Sequence, residues 1–211
     1  MGSLVSVVGV LVICYLVGAI PFGFLIGKFH GLDIRRHGSG NIGATNVRRV
    51  IGRDWSIACF VLDFLKGLLP VLMALHISGQ ASNLGWLPPL AAGATVAGHI
   101  WPLYLRFKGG KGVSTTLGAL LALVPLAVIS AIVVWLVIFK LTRYVSAASV
   151  CAAVILPLSA VLWRSVAETG VPAYTLGLLV VIAVIIILRH RGNIQRLLSG
   201  REHRFKGTDR T

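Results

Sequence analysis

Long apolar runs separated by short polar loops dominate the pattern of this chain. Apolar side chains make up 56% of its 211 residues and charged side chains 12%, about half the charged fraction of a soluble domain. Apolar runs of roughly 18 residues or more can cross a bilayer as helices. The pattern predicts an all-α polytopic membrane protein, with one membrane domain over residues 1–211. The apolar runs cover residues 4–27, 55–77, 84–105, 113–139, 145–163 and 171–188.

The first apolar run is predicted to be a membrane span and not a cleavable signal peptide. No basic residue precedes it, and the first positive side chain is Lys28. A signal peptide carries its basic residues before the apolar stretch. Because Lys and Arg are retained on the cytoplasmic side, this order predicts an N-terminus outside the cytoplasm.

The run 113–139 is predicted to make two crossings instead of one. Six crossings would place residues 189–210, with their seven Lys/Arg, on the outside, against the positive-inside rule. Pro125 lies near the middle of the run and can hinge two short helices of about 13 residues, or roughly 20 Å each. Seven transmembrane helices then leave the C-terminus in the cytoplasm, and local membrane thinning accommodates the two short ones.

Basic residues concentrate in the loops that this topology places inside. The net charge is +14, but its confinement to short loops between apolar runs argues against a nucleic-acid partner. Such a surface attracts anionic lipid and phosphate. The predicted inside loops hold 18 of the 20 Lys/Arg, with six in residues 28–53, three in 106–111, two in 140–143 and seven in 189–210.

The first inside loop, residues 33–49, alternates glycines with small polar side chains. Glycine lets consecutive backbone N–H groups turn toward a ligand and form an anion-binding concavity. Arg48 or Arg49 adds a guanidinium that can grip a phosphate bidentately. An ordinary polar connection is the alternative interpretation. The polar and glycine positions are Gly38, Ser39, Gly40, Asn41, Gly43, Thr45 and Asn46.

The second inside loop has the centre Lys108-Gly-Gly-Lys-Gly112 and opens into an apolar helix. The N-terminus of that helix would then point at a bound anion. The loop is not a nucleotide P-loop, because Gly112 replaces the Ser or Thr that follows the lysine in that motif. We therefore predict phosphate binding by the backbone of Gly109, Gly110 and Gly112 and by Lys111.

Five further polar side chains are candidates for function. His190, just after the last apolar run, is the best candidate for a group that titrates near neutral pH. It would share a face with Asn193 if the helix continued; a head-group contact is the alternative. Ser146 follows the 140–143 turn and would lie on the inside. Asp63 and Lys66 lie within an apolar run; they mark function or only neutralise each other.

Several standard catalytic devices are absent from the sequence. There is no His-x4-Asp, no Gly-x-Ser-x-Gly and no Cys/His metal cluster. We therefore predict no metal and no cofactor, and a chemistry that depends on phosphate binding and positioning.

Three loop motifs together resemble the cytoplasmic motifs of the bacterial acyl-phosphate:glycerol-3-phosphate acyltransferases. The resemblance covers essentially the whole chain in length, span pattern and motif order. The motifs are Ser39-Gly-Asn-Ile-Gly-Ala-Thr-Asn46, Gly98-His99 with Phe107-Lys-Gly-Gly-Lys-Gly112, and His190-Arg-Gly-Asn-Ile194 with Gly200-Arg-Glu-His-Arg-Phe205.

The resemblance implies an inner-membrane enzyme with seven spans and its active site on the cytoplasmic face. It implies acyl transfer from acyl phosphate to the 1-hydroxyl of sn-glycerol 3-phosphate, giving lysophosphatidate and phosphate. His190, Asn193, Ser146 and Lys111 are the implied catalytic residues. By motif, the phosphate-binding pocket is lined by Ser39, Arg49, Lys111, Ser146, His190 and Asn193.

Two other functions are compatible with basic loops. A transporter for organic phosphate would show internal repeats and polar residues at mid-membrane, and no repeat is visible in the sequence. A lipid-binding assembly factor needs only a polybasic segment and would not require the glycine-rich loops. The acyltransferase is the prediction carried forward, with membrane lipids and the two substrates as its partners.

Overall fold

The computed structural model describes residues 2–80, 83–167 and 170–205. Lys206 and Arg210, which the charge argument counted, lie outside these ranges. Within them the regular secondary structure is entirely helical, with no strand, so the all-α prediction is confirmed. The α-helices are α1 (Gly2–Ala19), α2 (Phe22–Phe29), α3 (Ala44–Val50), α4 (Arg53–Gly79), α5 (Leu87–Ile100), α6 (Val113–Leu121), α7 (Pro125–Thr142), α8 (Val145–Val166), α9 (Ala173–Arg189) and α10 (Arg191–Leu198), with short 3-10 turns at Ile34–Arg36 and Leu103–Leu105.

Four helical segments of the described chain are long and apolar enough to cross a membrane. They are Val7–Phe29, α4, α7 and α8, and the pair α9 and α10, bent by 56°, makes a fifth. Helix α5 has 14 residues and α6 has nine, so they reach only about 21 Å and 14 Å at 1.5 Å per residue. By length and composition the described residues contain four to five candidate spans, so the chain is a multi-pass membrane protein.

The helix break predicted at Pro125 is present, but the predicted lengths were wrong. Helix α6 ends at Leu121, and Pro125 is the first residue of α7, a position where its missing N–H costs nothing. The two helices have nine and 18 residues instead of about 13 each. Helix α7 runs on to Thr142 and stops at Arg143, whose φ of 61° is left-handed.

The chain divides into two compact units, Met1–Leu123 and Val124–Thr211. In the N-terminal unit, α1 packs on α5 and α4 packs on α6. Glycines face both contacts: a Cβ on Gly18 or Gly98 would overlap the backbone of the opposite helix, and so would one on Gly67 or Gly118. Close approach through small residues is how helices associate without a hydrophobic driving force in lipid.

In the C-terminal unit, α7 packs on α8 and α8 packs on α9. Two tryptophans tie the first pair, since Trp135 Nε1 donates to Ser149 Oγ at 3.2 Å and Trp163 Nε1 donates to Ser130 Oγ at 3.0 Å. Such interhelical hydrogen bonds supply the polar part of helix association in a membrane. The outer side of α7 is apolar and exposed, as a lipid-facing surface must be, with Val133 54% exposed.

Candidate active site

Asn46 organises the first glycine-rich loop. Its side chain is 1% exposed, and its Nδ2 donates to the carbonyl oxygens of Ile34, His37 and Asn41 at 3.2, 3.1 and 2.8 Å. Its Oδ1 accepts from Ser39 N at 2.8 Å. One buried side-chain amide therefore binds four backbone groups of the loop. These hydrogen bonds also satisfy the polar atoms of Asn46, as burial requires.

Two predicted ligand-binding residues of this loop are used to shape it. Asn46 spends its amide on the loop backbone, and Asn41 Oδ1 accepts from Gly43 N at 2.9 Å, just before α3 begins. Ser39, Thr45 and Arg49 are exposed. The exposed three are the side chains that can reach a ligand, while the two asparagines fix the backbone beneath them.

The second loop lies against the end of α5. Gly109 N donates to Ile100 O and Gly110 N donates to His99 O, both at 3.2 Å. Gly112, with φ of 85°, then starts α6 at Val113, so the prediction that the loop opens into a helix is confirmed. Lys111 is half-buried at this point, directly before the first turn of α6.

A buried ionic cluster lies within the same unit. Asp63 Oδ1 is 2.7 Å from Lys66 Nζ and 3.7 Å from His99 Nδ1. Thr115 Oγ1 is 3.0 Å from His99 Nδ1, and Lys66 Nζ donates to Ile20 O at 2.6 Å. The pair Asp63–Lys66 that the sequence suggested is therefore formed, and it connects to the histidine that precedes the second loop.

A basic cleft of about 430 Å³ also lies in this unit. Arg35 is stacked on Phe24, with the guanidinium carbon 4.6 Å from the ring centroid. Its hydrogen bonds hold the pKa of Asp33 below the ordinary value, so one of the cations is already paired. The cleft is lined by Phe24, Arg35, Tyr104, Leu105, Arg106 and Lys108.

Glu202 is the centre of the polar cluster in the C-terminal unit. Its Oε1 accepts from Ser146 Oγ at 2.8 Å and from Asn193 Nδ2 at 2.6 Å, and its Oε2 accepts from Arg196 Nε at 2.7 Å. Burial alone would raise the pKa of Glu202, but these hydrogen bonds outweigh it and hold the pKa below the ordinary value. Two predicted site residues, Ser146 and Asn193, are thus brought together.

Glu202 lies in the third matched motif but is not among the predicted site residues. The sequence contains one indication that Glu202 is special. The chain has only six acidic residues, and Glu202 follows a strongly basic segment. An acidic side chain there needs donors, and the fold supplies two from the neighbouring α10 and one from the distant α8. The segment is also tied to the 140–143 turn, since Phe205 N donates to Arg143 O at 2.8 Å.

His190 lies at a bend and not within a continuous helix. Helix α9 ends at Arg189 and α10 begins at Arg191, with 56° between them; the premise of a continuing helix was therefore wrong. The His190 side chain is buried, and its Nδ1 is 2.8 Å from Ile186 O. Because a carbonyl only accepts, Nδ1 carries a proton, and in the neutral ring Nε2 is the basic nitrogen.

The apolar helices and the glycine-rich basic loops define the class of this protein. It is an integral membrane protein whose candidate site residues lie in loops and at helix ends. The sequence model of the glycerol-3-phosphate acyltransferase family matches residues 8–200. The chain belongs to this family, and it is therefore an acyltransferase of phospholipid biosynthesis.

Individual relatives agree with the family match. The chain is 46% identical to the glycerol-3-phosphate acyltransferase of Aquifex aeolicus, over 92% of this chain and 96% of the relative. It is 43% identical to that of Desulforudis audaxviator, over 96% and 98%. These alignments span nearly the full length of both proteins.

Two crystal structures of PlsY (YgiH), described as an integral membrane glycerol 3-phosphate acyltransferase, share the fold. The glycerol 3-phosphate form matches with a TM-score of 0.85 at 43% identity, covering 95% of this chain and 96% of that one. The lysophosphatidic acid form matches with a TM-score of 0.82 at 44% identity, with the same coverage.

Proposed function

We propose that this enzyme takes its acyl group from an acyl phosphate and transfers it to the 1-hydroxyl of sn-glycerol 3-phosphate. The products are lysophosphatidate and inorganic phosphate. The observation that carries the proposal is the pair of glycine-rich basic loops, which suit a reaction between two phosphate-bearing substrates. The forms in which the two solved relatives were crystallised, with glycerol 3-phosphate and with lysophosphatidic acid, support the acceptor and the product.

In the N-terminal unit, we assign phosphate binding to the exposed Ser39, Thr45 and Arg49 of the first loop and to Lys111 of the second. The backbone N–H groups of Gly40, Gly109 and Gly110 already donate to carbonyl oxygens of the protein, so these glycines give the loops their shape, and we assign the backbone anion contact to Gly112. The cations offset the repulsion between the two substrates. Asn41 and Asn46 contribute by holding the loop in the shape described above.

In the C-terminal unit, we assign positioning to Ser146 and Asn193 and proton transfer to His190. The acceptor hydroxyl oxygen forms a bond to the acyl carbonyl carbon, and the bond from that carbon to the phosphate oxygen breaks. Phosphate leaves with the electron pair, and cationic donors stabilise its growing charge. The hydroxyl proton goes to His190 Nε2 or to the leaving phosphate, so no acyl-enzyme is required.

We also propose seven transmembrane helices in the bacterial inner membrane, an N-terminus outside and a C-terminus in the cytoplasm. The active site then faces the cytoplasm. Support comes from the 18 of 20 basic residues that this topology places on one side, as the positive-inside rule requires. The short helices α5 and α6 count as spans in this arrangement.

The test uses purified protein in detergent or lipid with sn-glycerol 3-phosphate and either palmitoyl phosphate or palmitoyl coenzyme A. We expect phosphate and lysophosphatidate to appear in equal amounts with palmitoyl phosphate and no product with the thioester. A Lys111→Ala variant that melts like the wild type should lose this activity. Turnover with the thioester alone would overturn the donor, and phosphate without lysophosphatidate would indicate a hydrolase.

A further inference from the structure

Three ionisable side chains lie in the interior of the N-terminal unit and take no part in the proposed chemistry. Asp63, Lys66 and His99 are 2%, 4% and 4% exposed, and Asp63 and Lys66 lie within a membrane-spanning helix. Burying charged groups in an apolar interior is costly unless they are paired, and such residues inside a membrane usually serve function. Their contacts indicate which function this is.

The three side chains form one connected network with Thr115. The Asp63 carboxylate meets the Lys66 ammonium at 2.7 Å and His99 Nδ1 at 3.7 Å. The same nitrogen of His99 meets Thr115 Oγ1 at 3.0 Å. Two groups from α4 and α6 thus converge on one ring nitrogen and fix the orientation of the imidazole on α5.

The imidazole of His99 in turn supports the second glycine-rich loop. Gly110 is so close to the ring that a Cβ there would overlap His99 Nε2. The carbonyl of His99 also accepts from Gly110 N at 3.2 Å. The ring and the backbone of His99 therefore determine where Gly110 lies, and Lys111 is the next residue.

We propose that Asp63, Lys66, His99 and Thr115 form a positioning network that sets the place of Lys111. None of the four touches substrate; they act through the backbone of Gly110. The inference rests on the proposed function, in which Lys111 binds a substrate phosphate. A loosened ring would let the loop move, so phosphate binding would weaken while the chemical step stayed intact.

Two neighbouring threonines provide a matched test. Thr115 and Thr116 are both buried on α6, at 0% and 5% exposure. The Thr115 hydroxyl meets His99, whereas the Thr116 hydroxyl has no hydrogen-bond partner among the described residues. Thr115→Val and Thr116→Val remove the same atom from the same helix, and each replacement is close in shape to threonine.

The measurement is the KM for each substrate and kcat, for both valine variants and for Lys111→Arg. Lys111→Arg identifies the substrate whose phosphate Lys111 holds, because the KM for that substrate rises. Thr115→Val should raise the same KM about 5- to 10-fold, the effect of one lost hydrogen bond, with kcat unchanged. Thr116→Val should change it less than twofold.

The double variant Thr115→Val with Lys111→Arg supplies a second readout, the additivity of the two effects on KM. A purely structural role of Thr115 would not produce a non-additive result. Residues that act through one contact are non-additive, so the double variant should be little worse than Lys111→Arg alone. Equal effects of the two valine variants, or additive effects in the double variant, would overturn the network's role while leaving the function of Lys111 in place. Unchanged KM values in Lys111→Arg would instead overturn the proposed phosphate contact, and the inference with it.

Discussion

The Ser146 hydroxyl donates a 2.8 Å hydrogen bond to the Glu202 carboxylate, across 56 residues of sequence. Asn193 donates to the same oxygen, and Arg196 to the other one. Ser146 and Asn193 are proposed site residues, so their orientation depends on one carboxylate. Glu202 therefore links the C-terminal segment to the chemistry assigned to this unit.

Replacing Glu202 with Gln should lower both stability and activity. A glutamine side chain has one acceptor oxygen in place of two and carries no charge, so one of the three donors loses its partner. We expect the free energy of unfolding to fall by about 1–3 kcal/mol, measured by denaturation in detergent, and kcat/KM to fall at least tenfold. His203→Gln, at an exposed neighbouring position, is the control; equal effects of the two changes would contradict the assignment.

Stability should decrease in acid because of the same carboxylate. Its hydrogen bonds hold the pKa of Glu202 below the ordinary value of 4.5. A group whose pKa is lowered by folding stabilises the native state at pH above its unfolded pKa, and this contribution is lost as pH falls through the folded pKa. The Tm of the wild type should therefore drop more steeply below pH 4.5 than the Tm of Glu202→Gln. Parallel curves for the two proteins would argue against the linkage.

Arg49 should need its guanidinium and not only its charge. If it grips a phosphate bidentately, Arg49→Lys keeps the charge and loses the fork. We expect Arg49→Ala to lower kcat/KM about 10- to 100-fold, as for a charge-assisted hydrogen bond, with Arg49→Lys recovering only part of the loss. Arg53 is another exposed arginine of the same unit, and Arg53→Ala should change kcat/KM less than twofold. If Arg49→Lys recovered the full activity, Arg49 would contribute only its charge and not a bidentate contact.

Changing His190 to Gln tests where the acceptor proton goes. If His190 Nε2 is the base, kcat should fall about 10²- to 10⁴-fold with little change in the KM for glycerol 3-phosphate. The dependence of kcat on pH should also lose its acidic limb. Substantial turnover in this variant would assign the proton to the leaving phosphate.

The buried pair Asp63–Lys66 should be more sensitive to single changes than to a paired change. Lys66→Met removes the cation that lies 2.7 Å from a buried carboxylate and should cost about 3–5 kcal/mol of unfolding free energy. The double change Asp63→Leu with Lys66→Met removes both charges and should recover most of that loss. Thermal melts of the two variants decide this, and a double variant no better than the single one would argue against a mutual pairing.

Features that depend on local chemistry can be predicted from the sequence. Apolar runs dictate where membrane helices form, because an unsatisfied backbone in lipid is too costly for any other conformation. Pro125 lacks a backbone N–H and so begins α7, and glycine at position 112 accommodates the left-handed turn that starts α6. The positions of the glycine-rich loops and their basic residues also follow from the sequence.

Which polar groups meet depends on how the helices pack. Glu202 finds Ser146 on α8, and His99 on α5 finds Asp63 on α4 and Thr115 on α6, through packing that no local pattern encodes. The same packing turned Asn46 from a predicted ligand contact into the amide that holds its own loop. A buried polar side chain must pair with whatever the fold places within about 3 Å, and that neighbour is set by helix packing across long sequence separations.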